Sequence, residues 1–223
     1  MFNEALFSCH VLIVLIFSLG CLKIGKKALV AFIALQAFLA NLFVLKQIDL
    51  FKFTVTATDV FTVGSLFSFN LLQEYFGKDE AKNTIKITFV LLLFATVMGQ
   101  LHLFYAPSVL DTMQPHYHGL LSIMPRLAIS SFLIFFLCQY LDMRIFSFLK
   151  KRAKGLSFSS RTFLSMSISQ FFDTLLFSFF ALYGVVSHIW HIVFISYAIK
   201  LVVISFNSLF CRFSKRFLPQ EAL

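Results

Sequence analysis

The chain has 223 residues, of which 59% are apolar and only 13% charged, and its formal net charge is +9. Soluble domains run at roughly 45–50% apolar and about 25% charged, so this balance excludes water as the main solvent of the fold. Nucleic-acid binding is not implied by the positive charge, because the basic residues lie in short segments between apolar stretches, where they act as topology signals.

Stretches close to the ~18–20 apolar residues needed to cross a ~30 Å hydrocarbon core recur from end to end, whereas a signal peptide or tail anchor would leave one. The sequence therefore predicts an all-α integral membrane protein, a single polytopic domain over 1–223 with about seven transmembrane helices. These fall at 5–22, 28–48, 54–76, 85–106, 121–149, 161–186 and 190–211.

In chain order, the first span is followed by Lys23, Lys26 and Lys27. The second carries Ala31, Ala34, Ala37 and Ala40 at every third position, a small-residue stripe suited to close helix packing. The third is the least apolar, with Thr54, Thr56, Thr58, Asp59, Thr62, Ser65, Ser68, Asn70, Gln73 and Glu74, and should face protein or water rather than lipid. Lys78, Lys82 and Lys86 mark the next connection. After the fourth span, 107–120 holds Pro107, Pro115 and Gly119 and reads as an outer loop able to act as a lid. His116 and His118 in that loop are too few for a metal site, and Cys9, Cys21, Cys138 and Cys211 stand singly without a CxxC pair. No metal and no cofactor is expected.

Arg144, Lys150, Lys151, Arg152, Lys154 and Arg161 surround the fifth connection, and Arg212, Lys215 and Arg216 lie in the tail, 212–223. The alternate connections hold only Lys46 and Lys52. By the positive-inside rule the N-terminus lies outside, the C-terminus is cytoplasmic, and the number of spans is odd. Six spans is the alternative, with 5–22 lost or lying in the interface. The 32 phenylalanines suit either an aromatic-lined pocket for a flat ligand or lipid-facing surfaces.

An ionised carboxylate near the bilayer centre costs on the order of 2.5–3.5 kcal/mol on insertion scales, so each one needs a partner or a function. The fifth span contains Gln139 and Asp142 with Phe146 following, and the sixth contains Gln170 and Asp173 with Phe177 following. The same Q-x-x-D-x-x-x-F pattern thus occurs twice, 31 residues apart. On each helix the amide and the acid share a face, with the Phe one turn beyond. At ~1.5 Å per residue, Asp142 lies about 12 Å from Lys150 and Asp173 about 18 Å from Arg161, so a shared acidic pocket is feasible. The competing reading ties both acids to Arg126, Arg144 or Lys200 as helix-holding ion pairs. Glu74 either snorkels to the cytoplasmic interface and pairs with Lys78, or adds a third carboxylate at the mouth of the pocket.

These residues resemble a known family, the queuosine precursor transporters, formerly proposed vitamin-uptake carriers. The likeness covers roughly 38–211. It rests on Asn41-Leu42 with Lys46 and the run to Phe51, on Asn70-Leu71-Leu72-Gln73-Glu74-Tyr75-Phe76-Gly77-Lys78 through Ala81, on Pro125-Arg126-Leu127-Ala128 with Ser130 or Ser131, and on both Gln/Asp repeats. The family usually has Asp at the position of Asn70 and often Asn at that of Gln73, so here a carboxylate has become an amide.

The resemblance implies a six-helix core, 28–211, similar to the substrate-binding subunits of energy-coupling-factor importers, with 5–22 as an extra N-terminal helix. It also implies a multi-pass protein of the bacterial inner membrane that imports queuine or a smaller 7-deazaguanine precursor for queuosine modification of tRNA. Candidate substrate-binding residues are Asn70, Glu74, Gln139, Asp142, Gln170, Asp173, Phe146 and Phe177. The partners expected are that base and the lipid bilayer, with no direct nucleic-acid contact and a homo-oligomer left open. The chain lacks a GxxxxGK[ST] loop, so it would need no ATP of its own or a separate energising partner, the latter as a binding subunit for another vitamin-like solute. An intramembrane enzyme using Asp142 and Asp173 as acid and base is the remaining alternative, without nucleophile-elbow, HExxH or paired GxGD support.

Overall fold

The computed structural model describes residues 2–43, 46–50, 53–56, 58–122, 124–153, 155–182, 189–211 and 213–218. Within these, seven long helices form the body: α1 (Phe2–Ile24), α2 (Lys26–Phe43), α3 (Asp59–Phe76), α4 (Lys78–Phe104), α6 (Met124–Arg152), α7 (Phe158–Leu182) and α8 (Ile189–Phe210). A short α5 (Gln114–Leu121) and a 3-10 turn, Ser214–Phe217, complete the helical elements. The protein is an all-α membrane protein. Five stretches, those of α1, α2 and α4 and the segments Phe158–Phe180 and Val193–Phe210, are long and apolar enough to cross a bilayer. Their outward faces carry Phe17, Val90, Phe94, Phe180 and Phe194, which is where many of the phenylalanines go, while Phe67, Phe69 and Phe146 are fully buried.

Helix α3 explains its own polarity by its position. It packs against each of the other six long helices, and its core-facing residues from Val60 to Gln73 are almost all buried. Little of it is left exposed, and several of its hydroxyls and amides find partners on neighbouring helices. Ser68 Oγ donates to Ser18 Oγ at 2.9 Å and accepts from Gln36 Nε2 at 3.2 Å, linking α1, α2 and α3. Gln73 Nε2 donates to Ser147 Oγ at 2.8 Å on α6, and Asn207 Nδ2 donates to the Val63 carbonyl at 3.3 Å from α8.

Two single-residue connections need glycine. Gly25, between α1 and α2, has φ 125°, and Gly77, between α3 and α4, has φ 95° with ψ 170°. That region is closed to residues with a Cβ, so each glycine turns the chain within one residue. Gly64 is constrained differently: a Cβ there would collide with Gln36 Oε1 and Val14 Cγ1, because α1 and α2 approach α3 closely. Gly64→Ala is expected to destabilise the bundle by about 1–3 kcal/mol, the usual range for over-packing. A thermal melt of the purified protein in detergent checks this, and an unchanged midpoint contradicts the close approach.

Several expected boundaries move. Helix α2 ends at Phe43 and α3 starts at Asp59, and between them β1 (Gln47–Leu50) pairs antiparallel with β2 (Phe53–Thr56) in the register Gln47↔Thr56 to Leu50↔Phe53. The period-two run Phe53-Thr54-Val55-Thr56 is strand chemistry that hydropathy alone reads as span. Asn3 Nδ2 donates to the Asp49 carbonyl at 3.0 Å and ties the hairpin to α1. Lys78, Lys82 and Lys86 lie on the opening turns of α4 rather than in a loop.

The segment 107–120, expected as a loop, is also not all loop. Asp111 Oδ1 accepts from the backbone N–H of Met113 at 2.8 Å and of Gln114 at 3.1 Å, and Pro115 opens the exposed helix α5, where its missing N–H is harmless. Helix α1 is no interfacial appendage. Its Val14, Leu15, Leu19 and Leu22 enter the main hydrophobic core. Lys52, Lys154, Arg212, most of the 185–190 connection and residues 219–223 lie outside the described residues.

Candidate functional site

Three polar clusters among the helices hold seven of the eight sequence-predicted residues, and Phe177 stands apart from them. At one end, where α3, α6 and α7 converge, Glu74 pairs with Arg161 Nη2 at 2.9 Å and Lys150 Nζ at 2.9 Å. Lys150 also donates to the Glu74 carbonyl at 3.2 Å. Neither sequence reading had this pairing; Lys78 is not the partner, and the carboxylate is neutralised twice. Phe146 belongs here as well. It is fully buried, edge-on to Phe158 at 6.0 Å and beneath the Arg161 guanidinium at 5.6 Å, so it packs a helix junction. Phe177 is partly buried on α7.

The second cluster is the Asp173 environment. Lys200 Nζ on α8 lies 2.6 Å from Asp173 Oδ2 and 3.4 Å from Asp59 Oδ1 on α3. Asp173 thus has the Lys200 partner that the ion-pair reading named. Arg144 does not serve either acid, since it donates to the Tyr140 hydroxyl at 2.9 and 2.6 Å. The Arg126 side chain lies outside the described residues.

The third cluster is unlike the other two. Asp142 on α6 is completely buried, and among the described residues no cation stands within ion-pair distance of it. Ser169 Oγ donates to its Oδ1 at a long 3.4 Å, and Ser165 and Asn70 stand beside the carboxylate. Asn70 Nδ2 in turn donates to Ser165 Oγ at 3.4 Å. Yet Asp142 Oδ2, Asn70 Oδ1, Gln170 Oε1 and both side-chain heteroatoms of Gln139 have no hydrogen-bond partner among the described residues. Gln139 and Gln170 are each 1% exposed. A buried polar group left unmatched costs about 1–3 kcal/mol, so natural folds hold few of them. Others occur elsewhere in the bundle, among them Gln36 Oε1, Gln73 Oε1 and Thr162 Oγ1, and here a carboxylate without a cation and three amides carry them along α3, α6 and α7. An amide offers donor and acceptor and a carboxylate two acceptors, so this set matches a ligand edge with both kinds of group.

The two copies of the motif differ at their acids: Asp142 has no cation partner among the described residues and Asp173 is paired with Lys200, while Gln139 and Gln170 each keep an unmatched atom. Sequence reasoning gave Lys200 as one of three partners and passed over Asp59 as one polar residue among ten. Ser165 and Ser169 were missed altogether. The available signal was charge balance, since Lys200 is the only Lys or Arg in 189–211 and must meet an acid.

Seven long helices, five of them with stretches long and apolar enough to cross a bilayer, define a polytopic membrane protein. Residues 50–212 match the family described as "Putative vitamin uptake transporter". The chain is also 30% identical over 220 residues to the "Probable queuosine precursor transporter" of Bacillus subtilis (strain 168), a match covering 95% of this chain and 93% of that protein. The chain belongs to this family of membrane transporters. The second match extends beyond the start of the family description and takes in at least part of α1. No solved structure matches.

Proposed function

We propose that the protein imports a 7-deazaguanine base, queuine or one of its smaller precursors, across the bacterial cytoplasmic membrane, with the N-terminus outside and the C-terminus cytoplasmic. The observation that carries this reading is the buried, unmatched set of Asp142, Gln139, Gln170 and Asn70. A guanine-type edge presents N–H donors at N1 and the exocyclic amine, which suit a carboxylate, while O6 takes an amide N–H. The name of the Bacillus subtilis relative supports the same substrate class. The basic ends of α6 and the opening of α4 support the orientation.

The test is genetic. The chain is expressed in a bacterium lacking both 7-deazaguanine synthesis and its own importer, each base is supplied separately, and queuosine in tRNA is measured. Restored queuosine with at least one base is the expected result, and none with any base, from protein present in the membrane, contradicts it.

Residue 70 supplies a sharper prediction. Asn70→Asp adds an acid beside Asp142, which favours a cationic aminomethyl base over a neutral cyano one. Competition uptake normalised to membrane protein is expected to move the aminomethyl-to-cyano preference about tenfold, corresponding to about 1.4 kcal/mol. An unchanged ratio removes residue 70 from the site.

A further inference from the structure

The Asp59–Lys200–Asp173 cluster has no part in the binding set above, and its charges do not balance. Two carboxylates share one ammonium. Lys200 is 4% exposed and Asp59 8%. The lysine favours Asp173, at 2.6 Å, over Asp59, at 3.4 Å. Ser196 Oγ donates to the other Asp59 oxygen at 3.2 Å, which satisfies an acceptor without supplying charge.

The groups facing this cluster from each packed helix leave the imbalance standing. From α6 comes the buried thiol of Cys138, within electrostatic reach of Asp173 and Lys200. On α1, His10 packs edge-on against Phe61 at 4.7 Å and makes no ion pair with these acids among the described residues. Among the described residues no second Lys or Arg pairs with these acids. An excess negative charge held between helices in a low-dielectric interior favours whatever cation can reach it. The Lys200 ammonium already stands between the carboxylates where a metal ion would sit, and two carboxylates with one hydroxyl fall short of the six or so oxygens a hard cation takes. A proton needs neither room nor extra ligands.

We propose that Asp59, Lys200 and Asp173 form a proton-coupling site, so that one proton crosses with each solute molecule. This rests on the import reading above. The Asp59 carboxylate takes one H⁺ from the outer aqueous phase and becomes a neutral acid, which leaves Lys200 and Asp173 as a matched pair. It then releases the same H⁺ to the cytoplasm, with no bond made to the solute and no electron transferred. Helix α7 joins the two sites, because Gln170 of the binding set and Asp173 of the triad are one turn apart on it.

The experiment uses the purified full chain in liposomes with radiolabelled queuine and its two precursors. Three conditions are compared: an acid-outside pH gradient without sodium, an inward sodium gradient at equal pH, and counterflow of labelled against unlabelled base with no gradient. Wild type is expected to accumulate base at least tenfold better on the pH gradient than on the sodium gradient. Asp59→Asn is expected to lose that pH-driven accumulation at least tenfold while counterflow stays within twofold. Ser196→Ala, which removes no charge, is expected to move the external-pH midpoint of uptake to the alkaline side, because the ionised carboxylate loses a donor.

Sodium-driven accumulation, pH-driven accumulation surviving in Asp59→Asn, or an unmoved midpoint in Ser196→Ala each overturns the coupling site. A misfolded Asp59→Asn also counts against it, since the substitution leaves a balanced ion pair. Absence of counterflow in wild type with all three bases overturns the import reading, whereas counterflow without proton-driven accumulation overturns only the coupling.

Discussion

Asp142→Asn is expected to lower uptake of the transported base by roughly 100-fold, while the protein reaches the membrane in normal amount and melts no lower than wild type. The magnitude follows from two charge-assisted hydrogen bonds lost at ~1.5 kcal/mol each, with every 1.4 kcal/mol a factor of ten. The amide also presents an N–H where the base presents one, so a donor meets a donor. Stability moves the other way from an ordinary core substitution, because the buried carboxylate has no counter-ion among the described residues and asparagine keeps its shape. Uptake assays and thermal melts on the same preparations separate the roles. Loss of uptake in step with loss of folded protein makes Asp142 a packing residue, and retained uptake removes it from the site.

The second large effect is on folding. Lys200→Met leaves Asp59 and Asp173 facing each other without their shared cation, and breaking a buried pair from one side costs about 3–5 kcal/mol. In a chain of this size the melting temperature in detergent is expected to fall by about 10 °C. The triple variant Asp59→Asn/Asp173→Asn/Lys200→Met removes the orphaned charge and is expected to recover most of that loss. A triple variant no more stable than Lys200→Met shows that packing of the lysine stem, not charge, holds α3, α7 and α8 together.

The number and order of the long helices were readable from the sequence, because five stretches are long and apolar enough to cross a bilayer and the more polar α3 and α6 lie between them. Helix ends were less readable. The period-two stretch 53–56 is as apolar as a span and was absorbed into one, and the α5 helix has no buried face to announce itself. At the site, spacing along one helix showed that Gln139 and Asp142 share a face, as do Gln170 and Asp173, and this is local geometry. Which of the two acids keeps an unmatched oxygen depends on what arrives from other helices. Lys200 reaches Asp173 from 27 positions away, and Asn70 and Ser165 come to Asp142 from α3 and α7. Rotation of each helix about its axis decides such pairings, and a single sequence does not encode that in any repeating pattern. Glu74 shows the same limit: its neighbour at i+4 was in view, while its actual partners come from α6 and α7.

The central claim is that the Asp142 cluster binds a 7-deazaguanine base inside the membrane bundle, and equilibrium binding of radiolabelled queuine and its two precursors to the purified protein in detergent tests it without any transport step. The account predicts saturable binding of at least one base to wild type, about one site per chain, weakened at least tenfold by Gln139→Ala and roughly 100-fold by Asp142→Asn. Binding of none of the three bases to folded wild-type protein, or equal binding by wild type and Asp142→Asn, contradicts it.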